Sequence, residues 1–116
     1  MSIESWLDHK FESSCYTTPE FVLFCKEYKK EIKKRLPEDC KIVSWNRGHF
    51  YVSAFIKNEA GKYVYLSMPD VRYSPNEWFN SILVRTAQHE KDYTGGSNCY
   101  STLDNLQRNI DFLLRS

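Results

Sequence analysis

The densest set of chemically capable side chains in this sequence lies between positions 85 and 98. Arg85, His89, Lys91, Asp92, Tyr93 and Ser97 flank the pair Gly95-Gly96. Glycines allow close backbone approach to a ligand, and consecutive N–H groups in such a run can form a nest for an anion. The spacing is not that of a phosphate-binding loop: G-x-x-x-x-G-K-[ST] is absent, and no G-x-G-x-x-G follows a strand. Two readings stay open. The segment is a binding site with Arg85, Lys91, Asp92, Tyr93, Gly95, Gly96 and Ser97 as contacts, or it is a tight reversal with Tyr93 buried as a latch for the last helix. Its ten-residue span from His89 to Asn98 exceeds most connections, and such loops are often functional.

A second grouping depends on how the chain folds. Arg47 and His49 precede one strand-like segment, and Asp70 and Arg72 follow the next. In an antiparallel meander the start of one strand and the end of the following one share an edge, which would gather these four. His49 with Asp70 could then serve as an acid–base pair, with His89 the other histidine base, and Arg47, Arg72 or Arg85 could hold an anionic substrate. That is the enzyme alternative. No residue has the surroundings of an activated nucleophile: there is no G-x-S-x-G, and no cysteine in a protease context. The histidines form no H-E-x-x-H or H-x-H pattern, so neither a metal nor another cofactor is expected. Cys15, Cys25, Cys40 and Cys99 are spaced 10, 15 and 59 apart, without a C-x-x-C pair. They read as reduced structural thiols.

These groups must be positioned by a small number of elements. Ile3, Trp6, Leu7 and Phe11 mark one face of a short helix, with Ser2 as its cap. Residues 13–17 break it. Thr18-Pro19-Glu20 opens a second helix, with Thr18 as a capping acceptor and proline at the first helical position. Phe21, Phe24, Cys25, Tyr28, Ile32 and Leu36 then follow a 3.6-residue period until Pro37. From Cys40 the period becomes two. Strands are predicted over Lys41–Trp45, His49–Lys57, Lys62–Met68 and Ile82–Ala87, with a turn at 58–61, although Leu83 and Val84 would also suit a continuing helix. Ser74-Pro75-Asn76-Glu77 should start a helical turn carrying Trp78 and Phe79. Ser101 and Asp104 cap a final helix with Leu103, Leu106, Ile110, Leu113 and Leu114 on its buried stripe. The expected fold is one α+β domain over residues 1–116, in two layers: two N-terminal helices, an antiparallel meander of about four strands and a C-terminal helix. One sheet face packs on the long helix. The other is covered by a terminal helix or is a binding surface.

Composition limits the partners. The 116 residues include 16 Lys+Arg and 15 Asp+Glu, a net charge of +1, which excludes a polybasic nucleic-acid glue and an acidic mimic of DNA. The long helix nonetheless carries Lys26, Lys29, Lys30, Lys33, Lys34 and Arg35 on one side. That face from Lys26 to Arg35 is a solvated surface or a footprint for nucleic acid or an acidic protein. Nine of the 18 aromatics fall between Trp45 and Phe79, yet Arg47-Gly48-His49-Phe50-Tyr51-Val52 only approaches an RNA-recognition signature, so Phe50 and Val52 read as core. No apolar run approaches ~20 residues and no signal peptide is visible, so no membrane contact is expected and the cytoplasm is the expected location.

The run Gly48–Ser53, the piece Asp70-Val71-Arg72 and the string Arg85–Asn98 resemble a family of small proteins carried by phages and conjugative elements of Gram-positive bacteria. The resemblance spans most of the chain and implies a mobile-element setting, without assigning an activity or functional residues. Small proteins of that setting include inhibitors of host defence, anti-CRISPR proteins among them. The expectation is a non-enzymatic binding protein acting through a protein partner, since aromatics and Arg anchor such interfaces. A homodimer is compatible with it. The alternatives are the histidine-based enzyme above and a nucleic-acid-binding accessory protein.

Overall fold

The computed structural model describes residues 3–7, 9–11, 18–94, 96 and 98–115. Ser2, Cys15, Gly95, Ser97 and the break at 13–17 lie outside these residues. The chain forms a 3-10 turn (Ile3–Trp6), helix α1 (Pro19–Lys34), strands β1 (Cys40–Arg47), β2 (Val52–Asn58) and β3 (Tyr63–Met68), a short helix α2 (Glu77–Asn80), strands β4 (Ile82–Ala87) and β5 (Asn98–Ser101), and helix α3 (Leu106–Arg115). The sheet is an antiparallel meander in the order β1-β2-β3-β4-β5. Fold class and order therefore follow the sequence reading, with one strand more than expected.

Each element has a local cause. Proline at the start of α1 costs no hydrogen bond, and the Thr18 carbonyl accepts the Val22 N–H at 3.1 Å. The Thr18 hydroxyl, however, makes no capping bond; it is buried without a partner among the described residues. Glu31 and Arg35 pair at 3.0 Å across one turn. The expected strand from His49 starts only at Val52, because Phe50 adopts a φ of 61° that breaks extended backbone. The last helix is capped by Thr102 rather than Ser101: the Thr102 hydroxyl accepts the Asn105 N–H at 3.1 Å, while Ser101 ends β5. The expected N-terminal helix is reduced to the 3-10 turn. Its Trp6 stacks with Phe11 and meets Phe24 edge-on, so ring packing overrides helical spacing there.

Both long helices cover the same sheet face. Phe21, Phe24, Tyr28 and Ile32 of α1 and Leu106, Ile110, Leu113 and Leu114 of α3 share one core with Val52, Ala54, Ile56, Val64, Leu66, Met68, Ile82 and Val84. Trp78 is fully buried among them, and its carbonyl accepts the Tyr28 hydroxyl at 2.8 Å. Arg35 closes the far end, donating to the Leu103 carbonyl and to Asp104 at 3.1 Å. Among the described residues no helix covers the sheet's second face. No helix among the described residues is long and apolar enough to cross a membrane.

Candidate functional site

The alternation of β2, β3 and β4 puts Phe55, Tyr65 and Arg85 in one row across the uncovered face, directly opposite one another in the ladder. The chain after β4 folds back over this row. Tyr93 meets Phe55 and Tyr65 edge-on, with ring centroids 5.3 and 5.7 Å apart. Phe55, on a face without helices, is thereby fully buried, whereas Tyr93 keeps 52% of its surface exposed. Tyr93 is therefore a roof over Phe55 with an accessible outer side, and not a latch for the final helix.

Two charged side chains hold this segment in place. Arg85 donates to the carbonyls of Tyr93 at 3.1 Å and Asp92 at 2.7 Å. The Asp92 carboxylate accepts the backbone N–H groups of Gln88 at 2.9 Å and Thr94 at 3.2 Å, and the Thr94 hydroxyl at 3.3 Å. The Gln88 N–H and then the Thr94 groups hold this carboxyl below its ordinary pKa. Gly96 has a φ of +93°, and a Cβ there would run into the Thr86 carbonyl. The close approach that glycine permits is thus to the protein's own strand. Lys91 also lies in the left-handed region, at a φ of 71°, and is exposed at the tip with His89 and Glu90. Arg85 and Asp92 build the loop; Lys91 and Tyr93 face outward from it.

The grouping of Arg47, His49, Asp70 and Arg72 forms only in part. The strand ends meet as expected: Val52 pairs with Met68, and the Val71 N–H donates to the Phe50 carbonyl at 2.9 Å. Both Asp70 oxygens are nevertheless taken by Arg72, through its backbone N–H at 2.9 Å and guanidinium contacts of 3.1 and 2.8 Å. Burial raises the Asp70 carboxyl, but the Arg72 hydrogen bonds outweigh it and leave the pKa below the ordinary value. A carboxylate so held is a poor proton acceptor. The Arg72 guanidinium also lies 4.4 Å over the Phe50 ring. Arg47 turns elsewhere, to the cleft between α1 and β1. This group sits at the opposite end of the sheet from the β2–β3 hairpin and the exit of β4, so the expected contacts divide into two places.

No protein-family model, no curated protein and no solved structure matches this chain.

Beyond the aromatic row, the uncovered face continues to a groove of about 380 Å3 lined by Ser67, Pro69, Glu77, Ser81, Leu83 and Tyr100. Tyr100, from β5, is 66% exposed. The sequence places the loop at His89–Asn98 and assigns no strand between it and Ser101, so Tyr100 is a residue that sequence reasoning misses. The alternation Asn98-Cys99-Tyr100-Ser101 was its signal, but four residues after a polar run give a weak one.

Proposed function

We propose that this chain is a non-enzymatic binding protein that docks a protein partner on the uncovered sheet face, with the loop after β4 as one rim. The observation that carries this reading is the roof of Tyr93 over Phe55, clamped from below by Arg85. A half-exposed tyrosine held by packing and backbone hydrogen bonds loses little conformational freedom on binding, which favours affinity. Tyr100 and Leu83 extend the surface, and Lys91, His89 and Glu90 provide a charged margin, the usual distribution of an interface. The resemblance to phage and conjugative-element proteins would make the partner part of a host complex. The finer form of the proposal is an inhibitor of a bacterial defence complex, such as an anti-CRISPR, acting in the cytoplasm.

The test is affinity capture from the native host with the full chain and with Tyr100→Ala and Lys91→Ala, read by mass spectrometry. Both positions are exposed, so the variants should melt with the parent. A partner captured by the parent and lost from these variants supports the reading. A partner retained equally by both counts against this face, and a turnover activity abolished by His49→Ala would replace binding with the enzyme alternative.

A further inference from the structure

A second surface lies at the β1 edge, on the helical side of the sheet. β1 is bonded to β2 on one side only. The Gly48 N–H donates to the Tyr51 carbonyl at 2.9 Å, which sets the phase of that ladder. Because pairs alternate in an antiparallel ladder, Arg47–Val52 and Trp45–Ala54 are the pairs that do not exchange hydrogen bonds. The backbone N–H and C=O groups of Trp45 and Arg47 therefore point to the open edge. No backbone group among the described residues pairs with them. Folded proteins blunt such edges with bulges or charge. The bulge here falls between Ile42 and Ser44 and leaves the stretch from Ser44 to Arg47 regular.

Helix α1 runs beside this edge and makes it a groove of about 220 Å3, lined by Val22, Cys25, Lys26 and Lys29 from the helix and Trp45 and Arg47 from the strand. The floor is apolar and the rims are cationic. Among the described residues no carboxylate lines it. Two acids of the helix are engaged elsewhere: Glu27 accepts the Trp6 indole N–H, and Glu31 accepts Arg35 at 3.0 Å. Lys29 lies 5.9 Å from the centre of the Trp45 ring, and Tyr28 packs against that ring at 6.2 Å.

We infer that this groove takes an extended acidic segment of a partner polypeptide, which adds to β1 as a further strand along Trp45 and Arg47 with its carboxylates against Lys26, Lys29 and Arg47. Main-chain pairing to the open edge supplies affinity in such an arrangement, and side chains alternating into the groove supply selectivity. Charge complementarity names the segment as acidic. A nucleic acid fits less well. Phosphates accept hydrogen bonds but cannot donate to the outward carbonyls of Trp45 and Arg47, and the Trp45 ring already faces Lys29 and Tyr28 instead of offering a stacking platform.

The experiment is NMR titration of the full, 15N-labelled chain with a capped peptide alternating glutamate and valine over about seven residues, the length of a short strand. The expected result is a shift and slowed exchange of the Trp45 and Arg47 amides. Lys26→Glu with Lys29→Glu, both on the helix surface, should weaken the peptide by about tenfold or more. The same peptide N-methylated at every second residue should lose binding in at least one of its two phases. Binding kept in both phases, or matched by a lysine–valine peptide, overturns strand addition by an acidic segment. So does the absence of any shift at the two amides. A single-stranded oligonucleotide that displaces the peptide at lower concentration assigns the groove to nucleic acid and overturns the inference as well.

Discussion

The guanidinium of Arg85 lies 4.6 Å over the ring of Tyr65, its partner across the β3–β4 ladder, and donates from there to two carbonyls of the loop that follows. One side chain thus ties the outer face of the sheet to the segment that roofs it. Arg85→Ala should release that segment. The expected loss is about 1–3 kcal/mol in urea unfolding, the usual range for charge-assisted hydrogen bonds. Amide exchange should accelerate at Asp92 to Thr94 beyond the global effect. Lysine should rescue little, because a single ammonium cannot reproduce the planar fork that serves both carbonyls while stacked on Tyr65.

Asp92 and Asp70 make stability depend on acid. The carboxyl of each is held below its ordinary pKa, by backbone N–H groups at Asp92 and by Arg72 against the effect of burial at Asp70. A folded-state pKa below the unfolded one stabilises the fold above the unfolded value, about 4, and this contribution disappears as pH falls through the folded value. Stability should therefore decline on the acid side of about pH 4 and be flat with respect to these groups at neutral pH. Asp92→Asn and Asp70→Asn should each shallow that acid limb in a series of melts, and the loop amides should loosen first in the parent.

Gly96 and Gly61 are a matched pair for substitution by alanine. Both have positive φ, +93° and +85°, but a Cβ at 61 meets nothing within 4 Å whereas one at 96 collides with the Thr86 carbonyl. Gly61→Ala should cost about 1–2 kcal/mol, the penalty of left-handed backbone for an L-residue. Gly96→Ala should cost clearly more and disturb the amides of β4. Equal costs in thermal melts would mean that the 96 region does not rest on β4.

Tyr93→Ala removes two edge-on ring contacts and uncovers Phe55. Its exposure limits the loss to about 1–2 kcal/mol, short of the 3–5 typical of a buried aromatic. Capture of a partner should fail in the same variant while it remains folded. Melting and capture measured on one preparation separate the two effects.

Cys25 offers a chemical readout of α1. Burial pushes its thiol up to about 12, with Arg47 opposing. Iodoacetamide at neutral pH should leave Cys25 unmodified in the native protein and label it on unfolding, as mapped by peptide mass spectrometry.

Elements punctuated by proline or strict alternation were legible in the sequence. Pro19 and Pro37 bracket α1 because proline tolerates only the first turn or the exit of a helix, and β3 follows from the alternation of Val64, Leu66 and Met68 with Tyr63, Tyr65 and Ser67. The start of β2 was not legible, since the left-handed turn at Phe50 depends on that ring being drawn into the core between Phe21 and Arg72. β5 exists because Val84 and Arg85 offer it an edge, a fact about a distant strand. At the candidate site the same division holds. Arg85, Asp92 and Tyr93 stood out by type, but whether they hold a ligand or one another depends on hydrogen bonds to backbone atoms seven and eight positions away. The open edge of β1 had no sequence signal, because it depends on which strands come to lie side by side.

Strand order in space repeats strand order in the chain, so during synthesis β1, β2 and β3 can pair one after another as they leave the ribosome. The helix made before them has no such option. The hydroxyl of Tyr28 finds its acceptor only when Trp78 has emerged, and Arg35 finds its own only with Leu103. Trp6 and Phe50 can cover Phe24 and Phe21 early, but the buried hydroxyl of Tyr28 stays unsatisfied, and the Arg35 fork only partly satisfied, until the second half of the chain arrives. Helix α1 is thus fastened in part by residues made long after it.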